Sequence, residues 1–326
     1  HPIAEYKKKR FIFREGLKRW PLTISETLAM IFRFLPKLLF AKAQLKPRTD
    51  ESIGVWGRKN LGGPAVRYLL APALQGIYAG NIERMSADSI FGKMFSNSKK
   101  TKYKGTVAPE NGMGELIQAL RLKIESQGTR IHLNSDYVVT DLEIPHFVCV
   151  SAKASAKVVA PVAKELALQL SKIETLSLVS VTLFLETPSR PIQGFGCLVP
   201  EGNNVESLGI LSNTYIFNNR GPGYSETWIL GGARSPNLIA KSDHELIQQI
   251  QQDRQKLFGE AGKIVGFKIF RWPNALPHFT LEHNTLIRQL NPPKNLYLNG
   301  NYLDVIGLSK ILARTEDMVA QVKEQT

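Results

Sequence analysis

From residue 147 onward the sequence alternates between short stretches in which every second residue is apolar and longer stretches with helical spacing. A period of two is typical of half-buried strands, and a period of about 3.6 is typical of amphipathic helices. The alternation predicts an α+β or mixed α/β fold. The predicted strands cover residues 147–150, 176–185, 208–211, 227–230, 264–269 and 296–298, and the predicted helices cover residues 158–170, 243–258 and 308–324.

The part of the sequence before residue 100 is predicted to be mostly helical. A short strand pattern at Arg10–Phe13 is followed by a turn at Gly16, and helical patterns fill residues 17–95, where Ser86 is a predicted N-cap. Residues 76–81 are predicted to form a glycine-containing connection. A glycine turn at residues 111–114 leads into another helix, and residues 128–133 are predicted to return as a strand. A helical block is therefore expected between sheet-forming segments.

Positive charge is concentrated near the N-terminus. The chain carries 42 Lys and Arg against 28 Asp and Glu, a formal charge of +14, and twelve of the basic but only three of the acidic residues lie in positions 1–49. Such an excess attracts anions, which include phosphate backbones, acidic lipid headgroups and carboxylate-bearing substrates. The alternative is a solvated basic face without a specific ligand.

An apolar stretch at residues 28–40 follows this basic run, with Ser25 as its predicted N-cap. Arg33, Pro36 and Lys37 interrupt it, so it is too short and too charged to span a bilayer, which requires roughly 20 apolar residues. Lysine and arginine side chains can reach water while an apolar face enters the headgroup layer. We therefore expect contact with a membrane surface, and the alternative is an internal helix pair broken at Pro36.

Several common chemistries lack their motifs in this sequence. Cys149 and Cys197 are too few for a disulfide framework and lack metal-ligand spacing, and His278 and His283 do not form a zinc-binding HExxH pair. The sequence contains no G-x-S-x-G string and no P-loop. It also contains no helix-turn-helix, zinc-finger or RNA-binding motif. We therefore predict no metal site, no catalytic side chain of these classes and no nucleic-acid partner.

A set of local strings resembles the protoporphyrinogen oxidase family of flavoproteins. These strings occur in the family's order and extend over nearly the whole chain, and PIQGFGCLVP at 191–200 is the most specific of them. The others are RFIF at 10–13 with Gly16 and Pro21, GIYAGN at 76–81 with Ser86 and Phe91, GMGEL at 112–116, LGG at 230–232, RWPNALPHF at 271–279, and LNGNY at 298–302 with Ile306 and Leu308.

The resemblance implies a substrate site for a tetrapyrrole that carries two propionates. Arg10 matches an arginine that pairs with one propionate, a role that suits the forked guanidinium group. Gly76 matches a glycine whose carbonyl faces the substrate, and the absence of a side chain permits close approach. Phe195 and Leu198 match residues that enclose a pyrrole ring, and Ile229 occupies a position where the family often has methionine.

The resemblance also implies FAD as the cofactor. Val138 matches a strand residue near the adenine, Trp272 matches a position near the isoalloxazine ring, and the remaining implied contacts lie at the C-terminus. These C-terminal residues are Gly300, Ile306, Gly307 and Leu308. The last helix begins near Leu308 and would direct the positive end of its dipole at the flavin.

The implied activity is oxidation of protoporphyrinogen IX, or of coproporphyrinogen III, with molecular oxygen as the acceptor. The implied architecture is part of an FAD-linked, amine-oxidase-like fold. The expected location is cytoplasmic and peripheral at a membrane surface. The chain is expected to be either a monomer or a homodimer. We expect a substrate-domain strand at 1–16, a helical, membrane-facing insertion at 17–105, FAD-domain elements at 106–175, a substrate-binding sheet at 176–290 and an FAD-contacting strand and helix at 291–326.

The sequence departs from the family pattern at several places. The family's N-terminal glycine fingerprint is absent from it, so we expect flavin binding by this chain alone to be weak or lost. Val305 and Lys310 stand where a glycine and an acid are common. Two alternatives therefore remain, namely a truncated or divergent module that binds a tetrapyrrole or a membrane surface without catalysis, and a relative among amine oxidases or carotenoid desaturases.

Overall fold

The strands of the protein form one large and one small sheet. A computed structural model describes residues 2–92, 107–186, 188–218, 221, 223–303 and 306–325. Its strands are β1 (Arg10–Phe13), β2 (Leu17–Lys18), β3 (His146–Val148), β4 (Thr175–Leu185), β5 (Gly196–Leu198), β6 (Gly209–Leu211), β7 (Tyr224–Gly231), β8 (Ile264–Pro277) and β9 (Leu296–Leu298). The large sheet has the order β2-β1-β5-β6-β7-β4-β8, in which only the β1–β5 pair is parallel among the described strands.

Helices occupy the segments between these strands, so the mixed α/β prediction is confirmed. They are α1 (Ile24–Phe40), α2 (Ile53–Asn60), α3 (Gly63–Ala65), α4 (Ala71–Tyr78), α5 (Ala87–Phe91), α6 (Met113–Ser126), α7 (Ala152–Val159), α8 (Lys164–Ser171), α9 (Asn213–Ile216), α10 (Asp243–Phe258), α11 (Leu281–Gln289) and α12 (Leu308–Gln325). A π-helical turn at Val66–Leu70 joins α3 to α4.

The main hydrophobic core lies between one face of the large sheet and α10. Alternate residues of β4, from Val179 to Leu185, are buried against this core, as period two requires. Trp228 of β7 and Leu246 and Ile250 of α10 complete the contact. Since α10 covers this face, the opposite face of β1, β5, β6 and β7 remains available for a site.

The small sheet consists of β3 and β9, which are parallel, with Val148 opposite Leu298. Buried residues of α7 and α8, among them Val159 and Leu170, pack on it in a separate core cluster. A two-residue turn cannot join parallel strands, and here five strands of the large sheet, β4 to β8, lie between β3 and β9 in the sequence.

The structure corrects several sequence-based predictions. Residues 128–133 form no strand and are exposed, and the predicted helix 158–170 is two helices, α7 and α8. Pro161 lies between these helices, and proline in a helix interior loses a hydrogen bond and collides with the preceding turn. Gly76 is part of α4 and not of an irregular connection.

Helix α1 also differs from its prediction. Thr23, and not Ser25, is its N-cap, and it forms a capping box with Glu26. The helix continues through Pro36 without a break. Arg14 donates to Glu26 at 2.6 Å, and this bond together with the Thr23 N–H lowers the pKa of Glu26 to about 2. The salt bridge therefore links α1 to Arg14, the residue that directly follows β1.

Candidate active site

One face of the large sheet carries a row of small and apolar residues. Ile12 is opposite Leu198, Leu198 is opposite Gly209, and Gly209 is opposite Ile229. Residues that are directly opposite each other in neighbouring strands project to the same face. Arg10 lies two residues before Ile12 and therefore points to this face as well.

Two glycines keep this face open. Gly209 contributes no side chain to the row, and Gly196 occupies the position opposite Arg10. Helix α4 lies over the opening, where an added Cβ on Gly76 would be 2.5 Å from Leu198 Cδ2. Only a residue without a side chain allows this approach without displacing Leu198.

The space between α4 and the sheet is a cavity of about 400 Å³. Its lining is mainly apolar, and it includes all five residues that the resemblance assigns to the substrate, namely Arg10, Gly76, Phe195, Leu198 and Ile229. The structure thus brings these five residues together, while their contacts with a substrate remain a prediction. A mainly apolar cavity of this size with a few charged groups is typical of small-molecule sites.

Arg10 lies where the cavity meets solvent. Its Cζ atom is 4.7 Å from the centroid of the Phe195 ring, which is a cation–π distance. Among the described residues, no carboxylate forms an ion pair with Arg10. The Phe195 ring therefore holds a guanidinium group whose charge is available to an anionic ligand.

Helix α4 is held over the cavity by contacts of its own C-terminal half and of the residues that follow it. Gln75 donates to Glu201 at 2.6 Å, and the carbonyl oxygen of Ala79 accepts from Ala233 N at 2.8 Å. Asn81 N donates to Nε2 of the buried His278 at 3.1 Å, so the other ring nitrogen, Nδ1, carries the proton toward Glu174 at 2.9 Å.

Glu174 also accepts from Arg84, whose Nη2 atom donates to Oε2 at 2.6 Å. Burial raises the pKa of Glu174, but hydrogen bonds from Arg84 and His278 outweigh that effect and leave the pKa below its ordinary value. The carboxylate is therefore charged near neutral pH and accepts the hydrogen bond from His278 Nδ1.

The residues assigned to the flavin lie partly at the carboxyl end of the small sheet. Ligands of open α/β sheets bind in the crevice beyond the carboxyl ends of parallel strands. Here β3 and β9 end side by side, and an added Cβ on Gly300 would be 2.8 Å from the carbonyl oxygen of Val150. Gly300 therefore allows the two turns that follow these strands to touch.

Helix α12 contacts the residue that follows β9, because Asn299 Nδ2 donates to Thr315 Oγ1 at 2.7 Å. Gly307 has a φ of +101°, an added Cβ there would meet no atom within 4 Å, and the first turn of α12 contains no acidic residue. Ile306 is half-buried and Leu308 is 63% exposed. Gly300 and Gly307 add no side chain here, and the role of Gly300, Ile306, Gly307 and Leu308 as flavin contacts stays a prediction. Val305 lies outside the described residues.

Val138 and Trp272 fit the flavin assignment less well. Val138 is exposed, and residues 129–140 form no strand, so the strand predicted at Val138 is wrong, while its contact with an adenine stays a prediction. Trp272 lies on β8, is 52% exposed, and donates from Nε1 to Ser180 Oγ at 3.1 Å. Within the described ranges, no cluster of three or more His, Cys, Asp or Glu could hold a metal ion.

Sequence reasoning missed other residues of the cavity. Arg19 and Ile77 also line it, and His278 anchors the segment that covers it. In the sequence, Arg19 is one of the twelve basic residues of positions 1–49 and lies in a segment predicted to be helical, so no sequence signal indicates that it lines a cavity with Arg10.

A family described as flavin containing amine oxidoreductase matches residues 8–140 and 148–307 of this chain. The chain is 22% identical over 342 residues to the chloroplastic protoporphyrinogen oxidase of Nicotiana tabacum, and this alignment covers 85% of the chain and 62% of the relative. It is 23% identical over 310 residues to the coproporphyrinogen III oxidase of Bacillus subtilis, with 81% of the chain and 65% of the relative covered. The chain thus spans between 60% and 64% of the length of four chloroplastic plant relatives.

Among solved structures, a protein from Exiguobacterium sp. 255-15, provisionally named a protoporphyrinogen oxidase, superposes with a TM-score of 0.75 at 21% identity. The superposition covers 94% of this chain and 73% of that chain. At this identity the likeness supports the fold, and it agrees with the arrangement of the two sheets described above.

Proposed function

This chain belongs to the flavin containing amine oxidoreductase family, and on that premise we propose that it binds a porphyrinogen for FAD-dependent oxidation to the porphyrin. The proposed substrate is protoporphyrinogen IX or coproporphyrinogen III, with molecular oxygen as the acceptor. The observation that carries the proposal is the convergence of Arg10, Gly76, Phe195, Leu198 and Ile229 on one cavity.

Each part of the cavity has a role in this proposal. The apolar row on the sheet and helix α4 enclose a flat apolar ligand from two sides and exclude water from its edge. Arg10 fixes the orientation of the ring through one propionate. FAD, when bound, supplies the two-electron oxidation, and Gly300, Ile306, Gly307 and Leu308 are the residues that would hold it.

The proposal is tested first by binding. Replacing Arg10 by alanine removes one charged hydrogen bond, which is worth about 1.5–3 kcal/mol, so we expect the Kd for the porphyrin product to rise about 10- to 150-fold. The product is a stable ligand, and titration followed by porphyrin absorbance measures its Kd without the loaded enzyme.

Lys8→Ala provides the matched control, because Lys8 is an exposed member of the same basic run and does not line the cavity. This variant is expected to change the Kd by no more than about twofold. If the Arg10→Ala and Lys8→Ala variants bind the porphyrin equally well, Arg10 has no role in recognition.

We also propose that α1 lies on an anionic membrane surface. None of its residues is buried, and Ile24, Phe32 and Phe40 are 82%, 75% and 87% exposed. Apolar side chains exposed at this level along one helix, beside a basic segment, favour binding to acidic headgroups such as those of a cytoplasmic leaflet. None of the described helices combines the length and apolar character needed to cross a bilayer. On the basis of the exposed apolar side chains of α1 and the basic segment beside it, we propose a peripheral location at the cytoplasmic surface of a membrane.

The membrane proposal predicts that the wild-type chain floats with vesicles that contain phosphatidylglycerol, and that salt weakens this binding through screening. A Phe32→Glu/Phe40→Glu variant is expected to stay at the bottom of the gradient. Val265→Glu is the control, because Val265 is 63% exposed but lies on β8. Equal flotation of all three proteins would contradict a role for α1.

A further inference from the structure

We propose that Arg19 binds a second carboxylate of the ligand, so that Arg10 and Arg19 together select a dicarboxylate whose two acidic groups lie on the same edge. This inference rests on the proposed function, because it concerns the same cavity. It adds a specificity-determining residue to that site and a restriction on the shape of its ligand.

Arg10 and Arg19 lie at the open end of the hairpin of β1 and β2. Ile12 is opposite Lys18 and Phe13 is opposite Leu17 in an antiparallel pair. Arg19 follows directly after β2, where this pairing ends, so the lining of the cavity and not the strand register shows that it lies beside the same space as Arg10. Both arginines line the same cavity.

The third arginine of the hairpin is occupied elsewhere. Arg14 donates to both carboxylate oxygens of Glu26, at 2.6 and 3.1 Å, and its Cζ atom is 4.0 Å from the centroid of the Tyr68 ring. Neither Arg10 nor Arg19 forms an ion pair with a carboxylate in the described part of the chain. The hairpin therefore presents two uncompensated guanidinium groups to the cavity.

Two positive charges beside an apolar wall repel each other, and the repulsion grows as water is removed. A ligand with one carboxylate would compensate one guanidinium group and would desolvate the other without a partner. A ligand with two carboxylates compensates both. Because both arginines come from one hairpin, the two carboxylates have to lie on one edge of the ligand, while its apolar body contacts Leu198 and Ile229.

The test uses deuteroporphyrin IX, whose two propionates lie on neighbouring rings, and its dimethyl ester, which lacks both charges. For Arg19→Gln we expect the Kd of the diacid to rise about 10- to 150-fold, the effect of one lost charged hydrogen bond. The Kd of the dimethyl ester is expected to change by no more than about twofold. The wild-type chain should bind the diacid more tightly than the ester.

Lys8→Gln is the matched control, because it removes the same charge from an exposed residue of the basic run that does not line the cavity. Equal diacid binding by the Arg19→Gln and Lys8→Gln variants, while Arg10→Ala still weakens binding, would overturn this inference and leave the proposed function intact. Failure of the wild-type chain to bind either porphyrin would instead overturn the proposed function. Circular dichroism and thermal unfolding of each variant exclude loss of fold as the cause.

Discussion

Replacing Arg254 by methionine is expected to lower the free energy of unfolding by about 3–5 kcal/mol, because it leaves a buried carboxylate without its partner. Arg254 on α10 and Glu226 on β7 are both fully buried, and Arg254 Nε donates to Glu226 Oε1 at 2.6 Å. Arg254 Nη1 also donates to the carbonyl oxygen of Glu260 at 3.1 Å. Equilibrium unfolding in urea measures the loss.

Two further variants separate the ion pair from simple packing. Arg254→Met/Glu226→Leu removes both charges, and because the uncompensated carboxylate is gone, it should regain most of the lost stability. Lys263→Met breaks the exposed pair with Glu186, whose side chains are 74% and 57% exposed, and it should cost no more than about 1 kcal/mol. A loss for Arg254→Met as small as that for Lys263→Met would contradict this account.

The buried pair also affects the candidate site indirectly. Glu226 and Trp228 face α10, whereas Ile229, the next residue of β7, faces the cavity. The contacts that hold β7 against α10 therefore also determine the position of Ile229 on the opposite face of β7. We expect the Arg254→Met variant to bind porphyrin only at temperatures where it remains folded.

The sequence predicted elements whose pattern is local. Strand β9 and helix α10 have the predicted bounds, because the short apolar run of one and the capped periodicity of the other are complete within the element. Residues 128–133 share the alternating pattern, but it has no partner strand, and Ile131 and Leu133 are exposed. Alternation predicts a strand only where a neighbouring strand can accept its hydrogen bonds.

The candidate site could be predicted in composition but not in geometry. Arg10 and Phe195 are distant in the sequence, and the parallel pairing of β1 with β5 brings them together. The contact between Gly76 and Leu198 depends on the position of α4 over the sheet, which anchors such as His278 determine. No local pattern encodes these distances, because they arise from the register of strands that are not consecutive.

The second large effect is expected for Gly196→Ala, which should both destabilise the fold and close the cavity. Gly196 has a φ of +154°, and an added Cβ would lie 2.1 Å from the backbone oxygen of Ile210. The backbone strain costs about 1–3 kcal/mol, and the overpacking costs a further amount of about 1–3 kcal/mol. Because the colliding atom belongs to the backbone, β5 has to move away from β6, and the row through Leu198 and Gly209 moves with it.

Two other glycines allow these contributions to be separated. Gly16 has a φ of +113° with no atom within 4 Å of an added Cβ, so Gly16→Ala measures backbone strain alone. Gly266→Ala on β8 would meet Phe184 at an ordinary 3.7 Å and should change stability by no more than about 0.5 kcal/mol. If Gly196→Ala loses no more stability than Gly16→Ala and still binds porphyrin with the wild-type Kd, the close approach of β5 and β6 does not determine the cavity. Loss of both properties in Gly196→Ala alone shows that the register of these two strands holds the site open.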